Sequence, residues 1–418
     1  MSMEIHPEDL DERVHSDKYW LSQYNWQEKI VSQYNLPEKV RIHDATIREG
    51  QQTPGIVFKE DEQIRIARAL DELGVSRIEV VPIIFEEDKR ATKKIVKEGL
   101  DAEVISFVSW KKEDIDTALD CDLEAVLLDY VGNPWQGKAF WGLEPDEIIE
   151  RGVKTAQYAR DHGLRVSALI WDDFKAPEDF LKKNYTSIVE EGGAEAVSLA
   201  DTYGFSTPWA MKDMVERIRG WVPDTPVELH IHNDFGMATA QALSGVAGGA
   251  SIVDTAMLGL GERCGNLPTE EIALVLELIL DVDTGINLEK IYPTAKLIQK
   301  LSNFNISPRK PLVGENAFKY SSGWIYWMQS KAEEAGELQA MLPYMPELIG
   351  HPGREFVIDK SVGGGLLKSR LDKIGIEVPD KETLDEIVNA VKKESTVIKG
   401  ALENFQIKEI AQKILSKK

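Results

Sequence analysis

Basic charge is scarce in this chain. Its 418 residues carry 49 Lys and Arg against 71 Asp and Glu, a formal net charge of -22. Such a surface repels phosphate backbones and argues against nucleic acid as a partner, although a local group of donors can still bind a small anion. Cysteine is nearly absent too. Cys121 and Cys264 alone rule out a disulfide framework and suit a reducing cytoplasm. No apolar run approaches the ~20 residues that span a bilayer. Met1 to Asp17 is polar and acidic, without the apolar core or basic flank of an export signal. A soluble, cytoplasmic protein without a membrane partner is expected. No G-x-G-x-x-G follows the first strand-like run, which weakens a dinucleotide-binding reading. Internal repeats and low-complexity tracts are missing as well.

Hydrophobic residues make up 43% of the chain, enough for a large core and more than one ordinary domain. Residues 1–38 read as an extension. Tyr19, Trp20, Tyr24, Trp26 and Tyr34 crowd it, and so many rings favour a short helix packed on the main domain or on a partner subunit. From residue 39, strand-like runs alternate with amphipathic ones. The strands are expected at Lys39–His43, Arg77–Val81, Glu103–Val108, Ala125–Tyr130, Arg165–Ile170, Ala196–Ala200, Val227–His232 and Ile252–Gly259. Between the first two, Ile64, Ala67, Leu70 and Leu73 recur at helical spacing and Gly74 supplies the stop. Eight strands, each followed by a helix, is the count of an α/β protein of the (β/α)8 TIM-barrel class. An open doubly wound sheet is the alternative. The expected organisation is an extension over 1–38, a catalytic barrel over 39–280, a linker subdomain over 281–330 and a helical C-terminal subdomain over 331–418. Gly363-Gly364-Gly365 should mark a turn or a close backbone approach.

Catalytic groups of such barrels collect at the C-terminal ends of the strands. Four segments fall there: His43–Gln52, Asp201–Gly204, His230–Asp234 and Gly259–Asn266. Side chains at i and i+2 of a strand share a face, so His230 and His232 lie side by side, placed to share one metal ion or simply to sit on a solvated face. Strands one, seven and eight are neighbours in a closed barrel. Glu49 or Asp44 can add an anionic oxygen to the two imidazoles, and an octahedral shell would be completed by waters and a substrate's ketone and carboxylate oxygens. Such an ion acts as a Lewis acid on a ketone. Arg48 beside it can stabilise an enolate or alkoxide, the alternative being a simple Arg48–Glu49 surface ion pair.

Together these segments resemble the metal-dependent barrel family of 2-isopropylmalate synthase, homocitrate synthase, citramalate synthase and 3-hydroxy-3-methylglutaryl-CoA lyase. The matching runs are Asp44-Ala45-Thr46-Ile47-Arg48-Glu49-Gly50-Gln51-Gln52, Asp201-Thr202-Tyr203-Gly204, His230-Ile231-His232-Asn233-Asp234 and Gly259-Leu260-Gly261-Glu262-Arg263-Cys264-Gly265-Asn266. The resemblance implies a divalent metal (Mg, Mn, Zn or Co) on Glu49, His230 and His232, with Asn266 near it directly or through water. It implies catalytic roles for Arg48 and Thr202, and a cofactor-side place for Gln52 and Asn266. Glu79, on the second strand, corresponds to an acid that helps order the site, or forms a salt bridge in the barrel mouth. The implied reaction joins acyl-CoA to a 2-oxo acid and hydrolyses the thioester. Cleavage of the same kind of bond, as in the lyases or an aldolase, is the alternative. A non-catalytic assembly subunit is disfavoured by the intact metal motifs.

The pattern also breaks. The synthases carry a histidine where this chain has Ile325, and a second where it has Ser361. Isoleucine cannot move a proton, so Tyr326 or His351 would have to substitute. A histidine-containing substrate loop is replaced by Asn133–Trp141, with three aromatics that suit a bulkier pocket or loop packing. The following Trp171–Lys175 matches the family's acidic pair and arginine only loosely. Cys264 is one place off the lyases' reactive cysteine and is expected to be a partly buried, inert thiol. The chain's end near 418 implies no full regulatory domain of the kind some isopropylmalate synthases append. A homodimer is expected, crossed by the region after 280, because Phe318, Tyr320, Trp324, Tyr326 and Trp327 read as an exposed aromatic patch.

Overall fold

A computed structural model describes residues 10–417. They divide into two compact units, one of Tyr24–Ile306 and one of Ser307 onward with the segment up to Gln23. Among the described residues, no helix is long and apolar enough to cross a membrane.

The first unit is a closed barrel of eight parallel strands paired in chain order, with β8 returning to β1. The strands are β1 (Arg41–Asp44), β2 (Arg77–Val80), β3 (Glu103–Ser109), β4 (Ala125–Val131), β5 (Arg165–Trp171), β6 (Ala196–Asp201), β7 (Val227–Ile231) and β8 (Ile252–Thr255). Helices follow the strands, as in Glu60–Leu73, which buries Ile66, Ala67, Leu70 and Leu73 and stops at Gly74 with φ 95°. The open-sheet alternative is therefore excluded. The eighth strand is shorter than its apolar run suggests. It ends at Thr255, and Met257–Gly259 is a 3-10 turn in which Leu258 takes φ 64°, a conformation no strand contains.

Strand parity sorts side chains between barrel interior and helix layer. On β4, Tyr130 donates its hydroxyl to Asn184 on the helix Glu178–Glu190, so Tyr130 faces outward and Asp129 inward. The interior is split. Towards β3–β6 it is apolar: Ile105, Ala125, Leu127, Leu169 and Ala200 form one buried cluster, with Trp171 against it. Towards β1, β2, β7 and β8 it is ionic: His43, Arg77, Glu79, Glu228, His230 and Asp254 are all buried. These charges persist because they are paired. His43 Nδ1 lies 2.5 Å from Glu228 Oε1, Glu228 also faces Arg77 at 3.8 Å, and Arg77 pairs with Glu103. Removing one partner from such a chain leaves a buried charge uncompensated.

The second unit is mostly helical, with Gly323–Glu334, Gly364–Lys373, Lys381–Ile398 and Asn404–Leu415. Its core gathers Ile358, Val362, Leu367, Leu371, Ile387, Val391 and Ile407. The glycine triplet is a close approach: a Cβ on Gly323 would run into the Gly363 backbone. The expected aromatic patch is smaller than read from sequence. Phe318 is 1% exposed, packed on Tyr344 and His351, because it lies inside the fold of its own unit. Trp324 and Trp327 stay exposed and stack at 4.9 Å. Ile325 is in the first turn of the helix Gly323–Glu334, and Tyr326 packs edge-on against Phe356.

Candidate active site

The loop after β1 turns back over the barrel mouth as a short 3-10 helix, Glu49–Gln52. This carries Arg48 and Glu49 inward, and both are buried. Asp44 goes the other way. It accepts from Thr46 N at 2.9 Å and Thr269 Oγ1 at 2.7 Å, holding the loop to the segment after β8. Of the two acids weighed as an oxygen ligand, only Glu49 meets the histidines.

His230 and His232 project together from β7, their ring centroids 5.2 Å apart. His232 Nε2 lies 3.7 Å from Glu49 Oε1. His230 Nδ1 lies 2.5 Å from Asp254 Oδ2 on the adjacent β8, leaving Nε2 for the cavity. A carboxylate behind an imidazole is the arrangement that fixes ring orientation and raises basicity in metal-ligating histidines. Asn266 donates through Nδ2 to Leu260 O at 3.0 Å, while its buried Oδ1 has no hydrogen-bond partner. Gln52, with its amide nitrogen turned to Glu49, sits 2.9 and 3.1 Å from the two carboxylate oxygens.

Electrostatics favour a cation here. Burial alone would raise the Glu49 carboxyl, but Arg48 and both imidazoles bring it down to about 2. Burial and the charge of His230 lower His232 to about 4, so its ring is neutral and keeps a lone pair at neutral pH. Burial opposes charge on His230, yet Asp254 outweighs it and raises the group. Two imidazoles, a carboxylate and an unsatisfied amide oxygen fit a divalent metal. A second cluster, His43, Glu228 and Asp254, lies below, with one ligand atom from each within 4.8 Å of the others. It reads as an ion-pair core instead. Glu228 is already shared between His43 and Arg77, and Asp254 is engaged by His230.

Arg48 donates through Nε to Glu79 Oε1 at 2.8 Å, pairs through Nη1 with Glu49, and lies 4.6 Å over the Phe107 ring. Burial disfavours its charge, but Glu79 and Glu49 hold the guanidinium protonated more firmly than usual. Glu79 is fully buried behind Arg48 and does not line the cavity. It can orient the arginine and cannot touch a ligand. Thr202, at the end of β6, accepts from Asp172 N at 2.9 Å, which leaves its hydroxyl proton for the cavity.

The remaining motif residues are scaffold. Asp201 accepts from Phe205 N, Ser206 N and Gln241 Nε2, pinning the turn after β6. Gly204 there has φ 61°, and a Cβ would strike the His232 carbonyl, so glycine lets this turn close against β7. Asn233 Oδ1 accepts from Ala238 N, and Asp234 pairs with Arg263 at 3.0 Å. Cys264 is exposed, not partly buried, because the loop after β8 turns it to solvent. The segment Asn133–Trp141 is a helix (Pro134–Trp141) whose Trp135 and Phe140 face solvent while Trp141 lines the cavity. Asp172 accepts from Asn133 and Gln136, and Asp173 from Tyr185 and Ala200 N, so this acidic pair secures loops.

Arg48, Glu49, Gln52, Thr202, His230 and His232 line one cavity of about 340 Å³. Trp171, read from sequence only as the start of a departing loop, shares it with Phe107 and Asp129, which were not singled out, and neither was Asp254 behind it. A charge at an inward position of an apolar strand, as in Ala125–Val131 or Ile252–Thr255, was the available signal.

Comparison with known proteins agrees with this geometry. The HMGL-like family model matches residues 39–298. Homocitrate synthase AksA of Methanothermobacter thermautotrophicus is 35% identical over 90% of this chain and 93% of its own. (R)-citramalate synthase CimA of Methanocaldococcus jannaschii is 38% identical over 84% of this chain and 70% of its own. A probable 2-isopropylmalate synthase of Methanopyrus kandleri is 36% identical over 85% and 70%. Among solved structures, the HMG-CoA lyase of Bacillus subtilis superimposes with TM-score 0.59 at 22% identity, covering 66% of this chain and 97% of that one, a likeness of fold. With the family model over residues 39–298 and most of its length matched by the homocitrate synthase, the chain belongs to the HMGL-like family.

Proposed function

We propose that this protein is a divalent-metal-dependent synthase that joins an acyl-CoA to a 2-oxo acid. A carbon–carbon bond forms between the acyl methyl carbon and the ketone carbon as the methyl group gives up a proton and the ketone oxygen takes one up to become a hydroxyl, and water then cleaves the thioester to a carboxylate and the free thiol of coenzyme A. The observation that carries this reading is the convergence of Glu49, His230 and His232 beside Arg48 in one cavity. Glu49, His230, His232 and Asn266 would hold the metal, which supplies Lewis-acid polarisation of the ketone when bound. Arg48 places positive charge where negative charge develops on that oxygen. Glu79 holds Arg48 in place from behind. The Thr202 hydroxyl donates to the substrate carboxylate, and Gln52 orients Glu49. The curated relatives, named as synthases, support this direction over bond cleavage.

The test is a metal-supplemented assay of acetyl-CoA against a series of 2-oxo acids, followed by release of free thiol. Metal- and oxo-acid-dependent thiol release is expected. Its absence with every oxo acid, alongside cleavage of a 3-hydroxyacyl-CoA, would replace the synthase with a lyase.

A cytoplasmic homodimer completes the reading. It is supported by two unpaired cysteines and by the exposed, stacked Trp324 and Trp327 on the second unit. Light scattering at low micromolar concentration should give about twice the 46.9 kDa chain mass. A single-chain mass would refute it.

A further inference from the structure

The split of the barrel interior continues into the cavity. Its metal-binding groups come from the β1 and β7 side. The wall towards β3, β4 and β5 is Phe107, Trp110, Trp141, Leu169 and Trp171. One acid stands in that wall. Asp129 lies one pleat above Leu127 on β4, with Ser109 and Leu169 as its partners in register. Among the described residues, no side chain donates a hydrogen bond to its carboxyl. Only the more distant charges of Arg48 and His230 favour the ionised form, and burial pushes the group up to about 7. A polar group left unpaired beside apolar surface is costly unless a ligand or water satisfies it.

Cations are as informative. Among the described residues, Arg48 is the only Lys or Arg lining the cavity, and Glu49 and Glu79 already engage it. A 2-oxo acid held by its carboxylate and ketone oxygens at the metal end turns its side chain to the aromatic wall. A second carboxylate on that side chain would find no cation to pair with. Above about pH 8, where Asp129 is ionised, it would also face a like charge, and at any pH its own charge would lose hydration against four aromatic rings. An uncharged side chain would bury apolar area on the same rings.

We propose that the substrate is a 2-oxo monocarboxylic acid with a bulky, uncharged side chain, and that Asp129 is the specificity residue that excludes 2-oxo dicarboxylic acids. This rests on the acyl-CoA:2-oxo acid reading above and narrows it.

Two measurements on the metal-loaded, full-length protein separate the two ideas. The first is calorimetric binding of pyruvate, 4-methyl-2-oxopentanoate, phenylpyruvate and 2-oxoglutarate without acyl-CoA. The second is thiol release from acetyl-CoA with each of them. At about pH 8.5, where Asp129 is ionised, one of the two bulky uncharged acids should bind at least ~100-fold more tightly than 2-oxoglutarate, the effect of an unpaired like charge. Asp129→Asn should narrow that ratio by ~10-fold or more through tighter binding of 2-oxoglutarate, since one of the two opposing charges is gone. A wild-type protein that binds 2-oxoglutarate as well as the uncharged acids, or binds none of the four, overturns the proposal. So does a ratio that Asp129→Asn leaves unchanged. Thiol release with 2-oxoglutarate alone would keep the synthase and end the monocarboxylate proposal. The expected binding order without thiol release would keep the selectivity and end the synthase.

Discussion

His230→Ala is expected to lose the metal and the activity together. The imidazole is 6% exposed and lies between Asp254, 2.5 Å away, and the cavity. With the Nδ1 side committed to Asp254, the Nε2 lone pair is what the site can offer a cation. Alanine removes that ligand and the hydrogen-bond partner of the buried Asp254 carboxylate, leaving it near His43 alone, so a stability loss of roughly 3–5 kcal/mol should accompany the loss of metal. A milder variant separates the two effects. Asp254→Asn keeps a partner for Nδ1 but weakens the carboxylate–imidazole pair, and metal affinity should fall about 10–100-fold with the fold intact. Metal content after dialysis, read alongside circular dichroism, decides the matter. A folded His230→Ala protein that retains one metal per chain would place the ion elsewhere.

The same pair of residues shows how much of the site was legible. The two histidines could be placed because strand parity is a local property: positions i and i+2 share a face whatever the rest of the chain does. Parity on β1 turns Asp44 away from the cavity, towards the segment after β8, but Glu49 lies beyond that strand on the 3-10 helix Glu49–Gln52, so its inward place depends on how that loop folds back. Asp254 was invisible as a partner of His230 because it depends on which residues of β7 and β8 stand level, and His230↔Asp254 is a register of the closed barrel. His43 and Glu228 are alike in this, 185 residues apart in the chain and in hydrogen-bond contact at 2.5 Å. The eighth strand was overestimated because Met257 and Leu258 continue its apolar run, and hydrophobicity carries no record of the positive φ at Leu258 that ends it. Phe318 was misread for the opposite reason. A segment dense in aromatics looks like a surface patch until the rings that cover Phe318, Tyr344 and His351, arrive from later in the chain.

Arg48→Ala should lower turnover by about 10²–10³, the usual loss when one preorganised donor to a developing oxyanion is removed. The metal should remain, because Glu49 and both histidines stay in place. Arg48 is wedged between Glu49, Glu79 and the Phe107 face, so its guanidinium is fixed before substrate arrives and costs no reorganisation during the reaction. That fixation also means alanine strands Glu79, fully buried and within 3.8 Å only of His43 otherwise. A loss of activity through disorder must therefore be told apart from a loss of charge. Arg48→Lys makes the distinction. Lysine keeps the positive charge but cannot span two acids with a planar fork. Partial recovery of kcat, with KM near the wild-type value, would assign the role to charge at the reacting oxygen. Arg48→Gln, neutral but able to hydrogen bond Glu79, should keep the melting temperature closer to wild type than alanine does and remain as slow. Turnover at the wild-type level in Arg48→Gln would show that the arginine serves only to hold the two acids apart.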